Sequence, residues 1–191
     1  MSNLRHIPTR YENASFENSK GLKEIPDSCL LTGRVGCGKT YLAWCKIKQL
    51  YASVPRLTNS YKTDIYKLDN PESNLLFTTL QNLVMDVRAC FNPEATTRDE
   101  TIITAHCTCD YLILDDLGAE KTTDFTRSIL YQIIDYRYNY EKPTIITSNL
   151  DVKQIAERFD DRIASRIISL CPVITLENKD YRMEKCKKLT S

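Results

Sequence analysis

No stretch of the 191-residue chain carries enough consecutive apolar residues to cross a bilayer. Its opening, Met1-Ser2-Asn3-Leu4-Arg5-His6, lacks the apolar centre of a secretory signal. Together these absences predict a cytoplasmic protein with no membrane partner. A charge excess is missing as well: the formal charge is +1, so nothing draws the whole molecule toward nucleic acid, and any such site must be local. The residues are too few for a second large domain, which predicts one α/β domain with a proper core. Eight cysteines are present, but no pair of C-x-x-C motifs and no histidine pair completes a zinc site. Cys29, Cys37, Cys45, Cys90 and Cys171 stand alone inside predicted elements and read as reduced, buried small hydrophobes. His106-Cys107-Thr108-Cys109 offers three metal-ligand types in four positions, against which stands a plain approach from helix to strand.

What is present centres on Leu30-Leu31-Thr32-Gly33-Arg34-Val35-Gly36-Cys37-Gly38-Lys39-Thr40. The spacing from Gly33 to Gly38-Lys39-Thr40 is that of a Walker A phosphate loop, with a strand predicted before it over 29–32 and a helix after it over 39–50. Glycines let the backbone fold around a polyphosphate so that successive N–H groups point inward, and the helix that follows puts its positive dipole end on the anion. The loop therefore predicts ATP binding through residues 33–40. Lys39 reaches the β and γ phosphates and Thr40 ligates Mg²⁺.

Tyr111-Leu112-Ile113-Leu114-Asp115-Asp116 is an apolar strand ending in two carboxylates, the form of a Walker B element in a buried parallel sheet. In that role Asp115 holds Mg²⁺ and Asp116 polarises the attacking water; the plainer reading is a helix cap beside a solvated neighbour. Residues 142–149 form another buried strand whose polar end brings Asn149 to the same sheet edge, either to sense the γ-phosphate or to start a turn. Residues 75–79 and 80–88 give a further strand and helix, 101–105 a short helix, and 173–176 a last strand. Thr123-Asp124 caps a helix running to Tyr136.

Residues 1–24 read as an arm lying across the domain, with Ile7, Tyr11 and Phe16 as anchors. Tyr11 either meets the adenine face or serves ordinary packing. Residues 51–74 read as a long loop or partly ordered insertion in which Arg56, Lys62 and Lys67 alternate with Tyr61 and Tyr66, a basic aromatic surface or simply a solvated loop. Residues 154–170 predict one helix with Arg158, Arg162 and Arg166 along a single face. Such a column is either solvated or an arginine finger offered to a neighbouring subunit.

With these motifs in order, the chain resembles the AAA+ domain of the DnaC/IstB family of helicase loaders and transposition helpers. The segments that carry the resemblance are 114–121, 143–150 and 162–167, within a match that runs from Ile7 to Arg182. It implies a three-layer α/β/α P-loop NTPase with a central parallel sheet, covering residues 25–191 behind the arm. It also implies an ATPase with ATP/ADP and Mg²⁺ as ligands, Asn149 as sensor 1, Arg166 as the trans-acting finger with Arg162 beside it, and Arg182 as a sensor-2 arginine. Single-stranded DNA contacts map to Lys121, Thr123 and Phe125. The implied partners are a replicative helicase or a transposase, and copies of the chain itself in a ring, spiral or filament. One departure is Asp116 where many AAA+ proteins have glutamate, which sets the carboxylate a methylene farther back and predicts slow or partner-stimulated hydrolysis. The other is that residues 1–24 cannot form the helicase-gripping module of the loaders. Three rival readings share the phosphate loop: a transposition helper on duplex DNA, a small-molecule kinase, and a nucleotide-gated clamp without turnover.

Overall fold

The computed structural model describes residues 7–51, 64–67, 74–95, 97–177 and 180–181. A six-stranded sheet runs through it in the order β2-β3-β4-β5-β1-β6. These strands are β1 (Cys29–Gly33), β2 (Asp64–Lys67), β3 (Asn74–Thr79), β4 (Tyr111–Leu117), β5 (Thr144–Ser148) and β6 (Val173–Leu176). All neighbours are parallel except β2, which pairs antiparallel with β3 at one edge. The helices are α1 (Lys39–Tyr51), α2 (Leu80–Ala89), α3 (Asp99–Thr108), α4 (Asp124–Asn139), α5 (Val152–Arg158) and α6 (Asp161–Leu170).

Strand side chains alternate between two cores, as a pleat requires. Leu30, Leu76, Leu112, Leu114 and Ile146 face a core built with α2 to α6. Cys29, Leu31, Leu75, Ile113 and Ile145 face the other, where α1 supplies Leu42, Ala43, Trp44 and Ile47. Among the described residues that second face has α1 as its helix, and residues 7–25 complete it. Ala14 and Ile25 are buried there, with Ile7, Tyr11 and Phe16 packed alongside. The arm thus lies across the domain as a covering layer, and the three-layer α/β/α expectation holds.

Residues 51–74 contain an ordered stretch, since 64–67 pair in register with 74–77 as β2; Arg56, Tyr61 and Lys62 lie outside the described residues. One expectation fails. The single helix over 154–170 is two, α5 and α6. Phe159 drops into the core at 3% exposure, and Asp160 adopts extended backbone and caps α6 by accepting from Arg162 N at 2.7 Å. A helix cannot run through that extended residue, so the interruption separates Arg158 from the two arginines after it.

Arg137 of α4 is fully buried, and its guanidinium replaces the solvent that the end of α3 would otherwise need. It donates to His106 O at 3.1 Å, Cys107 O at 3.1 Å, Cys109 O at 2.9 Å and Thr144 Oγ1 at 2.8 Å. A cation on helix C-terminal carbonyls also suits the helix dipole. The cysteines are structural here: burial pushes the Cys29 thiol up to about 12 and Cys107 up to about 11, leaving both protonated. No group of three or more metal-ligating side chains occurs among the described residues. No described helix is long and apolar enough to cross a membrane.

His106 is held through Nδ1 to Ile102 O at 2.7 Å, and its buried Nε2 has no partner among the described residues. Burial lowers its pKa below the ordinary 6.5, the Ile102 carbonyl opposes this, and Arg137 adds to the lowering. The unfolded chain therefore takes up a proton that the folded chain refuses, and stability falls as pH drops below about 6.5. His106→Asn is expected to remove up to about 1.4 kcal/mol per pH unit of that slope, checked by urea unfolding at pH 7.5 and 5.5. An unchanged pH dependence in the variant would refute the assignment.

Candidate nucleotide site

The strand order places β5 between β1 and β4, so the phosphate loop after β1, the acids of β4 and the end of β5 meet at one edge of the sheet. This is the carboxyl edge, where open parallel sheets bind ligands. Thr32 and Thr175 link hydroxyls at 3.1 Å beside the loop. Gly33, Gly36 and Gly38 have φ of 141°, 78° and 104°, values that side chains rarely adopt. A Cβ on Gly36 would meet the Asp180 carboxylate at 2.0 Å, and Tyr181 N donates to Gly36 O at 3.1 Å, so the chain's late segment is seated on the loop.

From the loop a continuous polar chain crosses the edge. Lys39 Nζ donates to Gly33 O at 2.7 Å, Arg34 O at 2.9 Å and Asn149 Oδ1 at 2.7 Å. Asn149 Nδ2 in turn donates to Asp116 Oδ1 at 3.0 Å, and Asp116 N to Thr147 Oγ1 at 2.9 Å. Thr147 Oγ1 donates to Asp115 Oδ1 at 2.6 Å, which also accepts from Thr40 Oγ1 at 3.0 Å. Burial raises the Asp115 pKa above the usual carboxylate range, the hydroxyls of Thr147 and Thr40 pull it back, Asp116 pushes it up and Lys39 opposes. The hard oxygens of Thr40 and Asp115 converge, a donor set that suits Mg²⁺.

A register shift between Leu114 and Leu117 re-aims the two acids. Asp116 sits at φ 56°, a left-handed conformation that aspartate tolerates and most residues do not. Gly118 follows at φ 93°, and a Cβ there would strike Leu150 Cδ1 at 2.4 Å. Beside this turn Glu120 is buried, its Oε2 accepting from Gly118 N at 3.3 Å, and burial raises its carboxyl pKa.

A cavity of about 650 Å³ opens over the loop. Residues 35–40, Asp115, Asp116 and Asn149 line one part; Arg10, Tyr11, Lys20 and Tyr181 are among the residues that line the rest. Tyr11 therefore reaches the cavity wall, while its ring stacks on Trp44 at 5.6 Å between centroids, 13° from parallel. Lys20 Nζ lies 5.2 Å from the Tyr181 ring centroid, joining the arm to the chain's late segment at the cavity rim. Arg182 lies outside the described residues.

The other predicted site residues are spread more widely. Arg158 turns inward to Thr122 Oγ1 at 3.2 Å and to Glu120 O. Arg162 grips Asp160 through Nε at 3.1 Å and a terminal nitrogen at 3.2 Å; that bond holds the exposed Asp160 carboxyl below the usual range. Arg166 pairs with Asp135 of α4. Thr123 is the α4 cap, accepting from Thr126 N at 3.2 Å, and Lys121 is exposed. Phe125 packs 6.0 Å from Phe91 with the Arg88 guanidinium 5.6 Å from its ring centroid. Sequence reasoning missed Thr147, Phe91 and Arg88. Thr147 sits inside a strand already singled out.

A phosphate loop, two β4 acids and a β5 asparagine joined across a sheet with β5 inserted between β1 and β4 define an ATP-binding AAA+ P-loop protein. A profile of the IstB-like ATP binding protein family matches residues 72–189, and the chain belongs to that family. The replicative helicase loader DnaC of Buchnera aphidicola subsp. Baizongia pistaciae (strain Bp) is 23% identical over 154 residues, covering 81% of this chain and 55% of that protein. The phage-like element PBSX protein XkdC of Bacillus subtilis (strain 168) is 26% identical over 163 residues, covering 83% of this chain and 52% of its own. The chain thus spans about half the length of these relatives. In fold it is similar to the crystal structure of the DnaC helicase loader, with a TM-score of 0.67 at 21% identity, over 89% of this chain and 100% of that one.

Thr147 is 1% exposed, and its hydroxyl is the only atom joining Asp116 N to Asp115 among the described residues. Thr147→Val keeps the shape but takes the donor from the buried Asp115 carboxylate and the acceptor from the part-buried Asp116 N–H, so urea unfolding is expected to show a loss of about 1–3 kcal/mol. A stability equal to the parent's would mean that the network is not held through this hydroxyl.

Proposed function

We propose that the chain hydrolyses ATP, assembles head to tail, and loads or remodels a replicative DNA helicase on single-stranded DNA. The observation that carries this reading is the polar chain from Lys39 through Asn149 and Asp116 to Asp115 and Thr40. It puts a cation, an amide and two acids on one cavity wall, with a carboxylate and an amide side by side where an attacking water is held in this class. Lys39 exchanges its loop carbonyls for phosphate oxygens when nucleotide enters. Asp116 accepts the proton of the water, and Asn149 orients it while keeping the Asp116 carboxylate in place. Thr40 and Asp115 would hold Mg²⁺, which would supply charge neutralisation at the phosphates.

The cation that neutralises the terminal phosphate comes from an adjacent copy, as the resemblance to the DnaC/IstB family implies. Arg166 is that group, and a contact of this heterologous kind builds rings, spirals or filaments. Single-stranded DNA is read on the Phe91–Phe125 pair, where Phe91 is 61% exposed and Arg88 and Lys121 supply positive charge. The membership of an IstB-like family supports a second reading, a transposition helper that acts on duplex DNA and a transposase.

Arg166→Ala is expected to lower steady-state phosphate release about 10³-fold without weakening nucleotide binding. A parent-like rate would overturn the trans arrangement. Phe91→Ala and Phe125→Ala are each expected to weaken binding of a labelled single strand by about 1–3 kcal/mol in anisotropy titrations. Tighter binding of duplex than of single strand would transfer the assignment to the transposition helper.

A further inference from the structure

Arg158, Arg162 and Arg166 recur every four residues, yet the fold gives each guanidinium a different fate. Arg158 is spent inside the protein on Glu120 O and Thr122. Arg162 is gripped at two points by the carboxylate of Asp160, the residue that caps its own helix. Arg166 engages only through Nε, which donates to Asp135 Oδ1; its two terminal nitrogens make no bond among the described residues. The second carboxylate oxygen of Asp135 is fixed by Asn139 Nδ2 at 3.3 Å. The ring of Tyr131, one turn earlier on α4, lies 4.9 Å from the Arg166 guanidinium and 5.4 Å from that of Arg162.

This arrangement suits one task. A surface arginine carries large rotamer freedom, which it must surrender to meet a phosphate. A ring against the guanidinium face and a carboxylate at Nε remove most of that freedom beforehand. They also leave the two terminal nitrogens, the parallel pair that binds phosphate at two points, without a hydrogen-bond partner among the described residues. Arg162 lacks that option because Asp160 occupies one of its terminal nitrogens as well as Nε.

We propose that Tyr131 and Asp135 are positioning residues that hold Arg166 preset for the terminal phosphate of a nucleotide bound by an adjacent copy. The assignment rests on the trans reading of Arg166 given above. It separates the two arginines of α6: Arg166 is the donor and Arg162 is a local partner of the helix cap.

The test mixes two inactive proteins. A Lys39→Ala copy cannot hold nucleotide but still offers Arg166; an Arg166→Ala copy holds nucleotide but offers no finger. Mixed assemblies recover phosphate release, and adding Tyr131→Ala to the Lys39→Ala copy lowers that recovery roughly three- to tenfold, the scale of one lost side-chain geometry. Adding it to the Arg166→Ala copy leaves the recovery intact, which a folding defect would not. In the otherwise unaltered protein Tyr131→Phe keeps the parent kcat, while Tyr131→Ala and Asp135→Asn lower kcat with KM for ATP within about twofold. Recovery that survives Tyr131→Ala in the donor copy overturns the positioning role alone. A mixture that shows no recovery overturns the trans reading and this assignment with it.

Discussion

The site depends on β5 lying between β1 and β4. Without that inserted strand, Lys39 at the start of α1 and the acids at the end of β4 would adjoin directly and form an ion pair. With it, Asn149 stands between them, accepting from Lys39 at 2.7 Å and donating to Asp116 at 3.0 Å. An amide can do both at once because it carries a donor and an acceptor on one planar group. Cation and carboxylate are thereby kept within a short reach without neutralising each other; the carboxylate retains lone pairs for a ligand, while Lys39, whose three N–H groups are spent on Gly33 O, Arg34 O and Asn149, meets one by exchanging its loop carbonyls. Thr147, two residues earlier on the same strand, repeats the arrangement with a hydroxyl between Asp115 and Asp116.

Holding two adjacent carboxylates at one strand end is unfavourable, and the structure offsets it through backbone geometry. The register shift after Leu114 and the left-handed φ of Asp116 send neighbouring side chains to different tasks. Asp115 is buried among hydroxyls toward Thr40, while Asp116 faces Asn149. A residue in this conformation costs on the order of 1–3 kcal/mol, retained only where the surroundings fix it. Here the Asp116 N–H to Thr147 and the close seat of Gly118 on Leu150 fix it from both sides.

Much of this was legible in sequence because motifs with a fixed backbone mechanism announce themselves. The phosphate loop, the apolar run into Asp115-Asp116 and the strand ending at Asn149 are local patterns, and their elements agree with the sequence reading to within a residue or two. The missed features are those decided by distant contacts. Residues 64–67 form β2 only because β3 offers an edge, and nothing in their own pattern distinguishes them from loop. The stop between α5 and α6 is set by Phe159 finding the core, while Asp160 and Asp161 read equally well as charges on a continuous helix face. Arg137 lies just beyond the helix read from sequence, and its role as a buried cap is set by distant carbonyls, those of His106, Cys107, Cys109 and Pro143. The arginine column failed for the same reason: helical spacing gives direction only while the helix lasts.

The uneven covering of the sheet explains why the ends of the chain frame the cavity. One face is closed by α2 to α6, whereas the other has α1 and must borrow the arm to bury Ala14, Ile25 and the flank of Trp44. That borrowing carries Arg10, Tyr11 and Lys20 to the rim above the phosphate loop. From the opposite side, the chain leaving β6 seats Tyr181 on Gly36 and brings its ring to Lys20. Among the described residues the arm carries one 3-10 turn, Thr9–Tyr11, and is anchored by Ala14 and Ile25 in the core, whereas 180–181 are seated on the phosphate loop. Any ligand that fills this space while contacting both ends adds its binding free energy to their ordering, and by linkage whatever orders the ends strengthens the binding of that ligand.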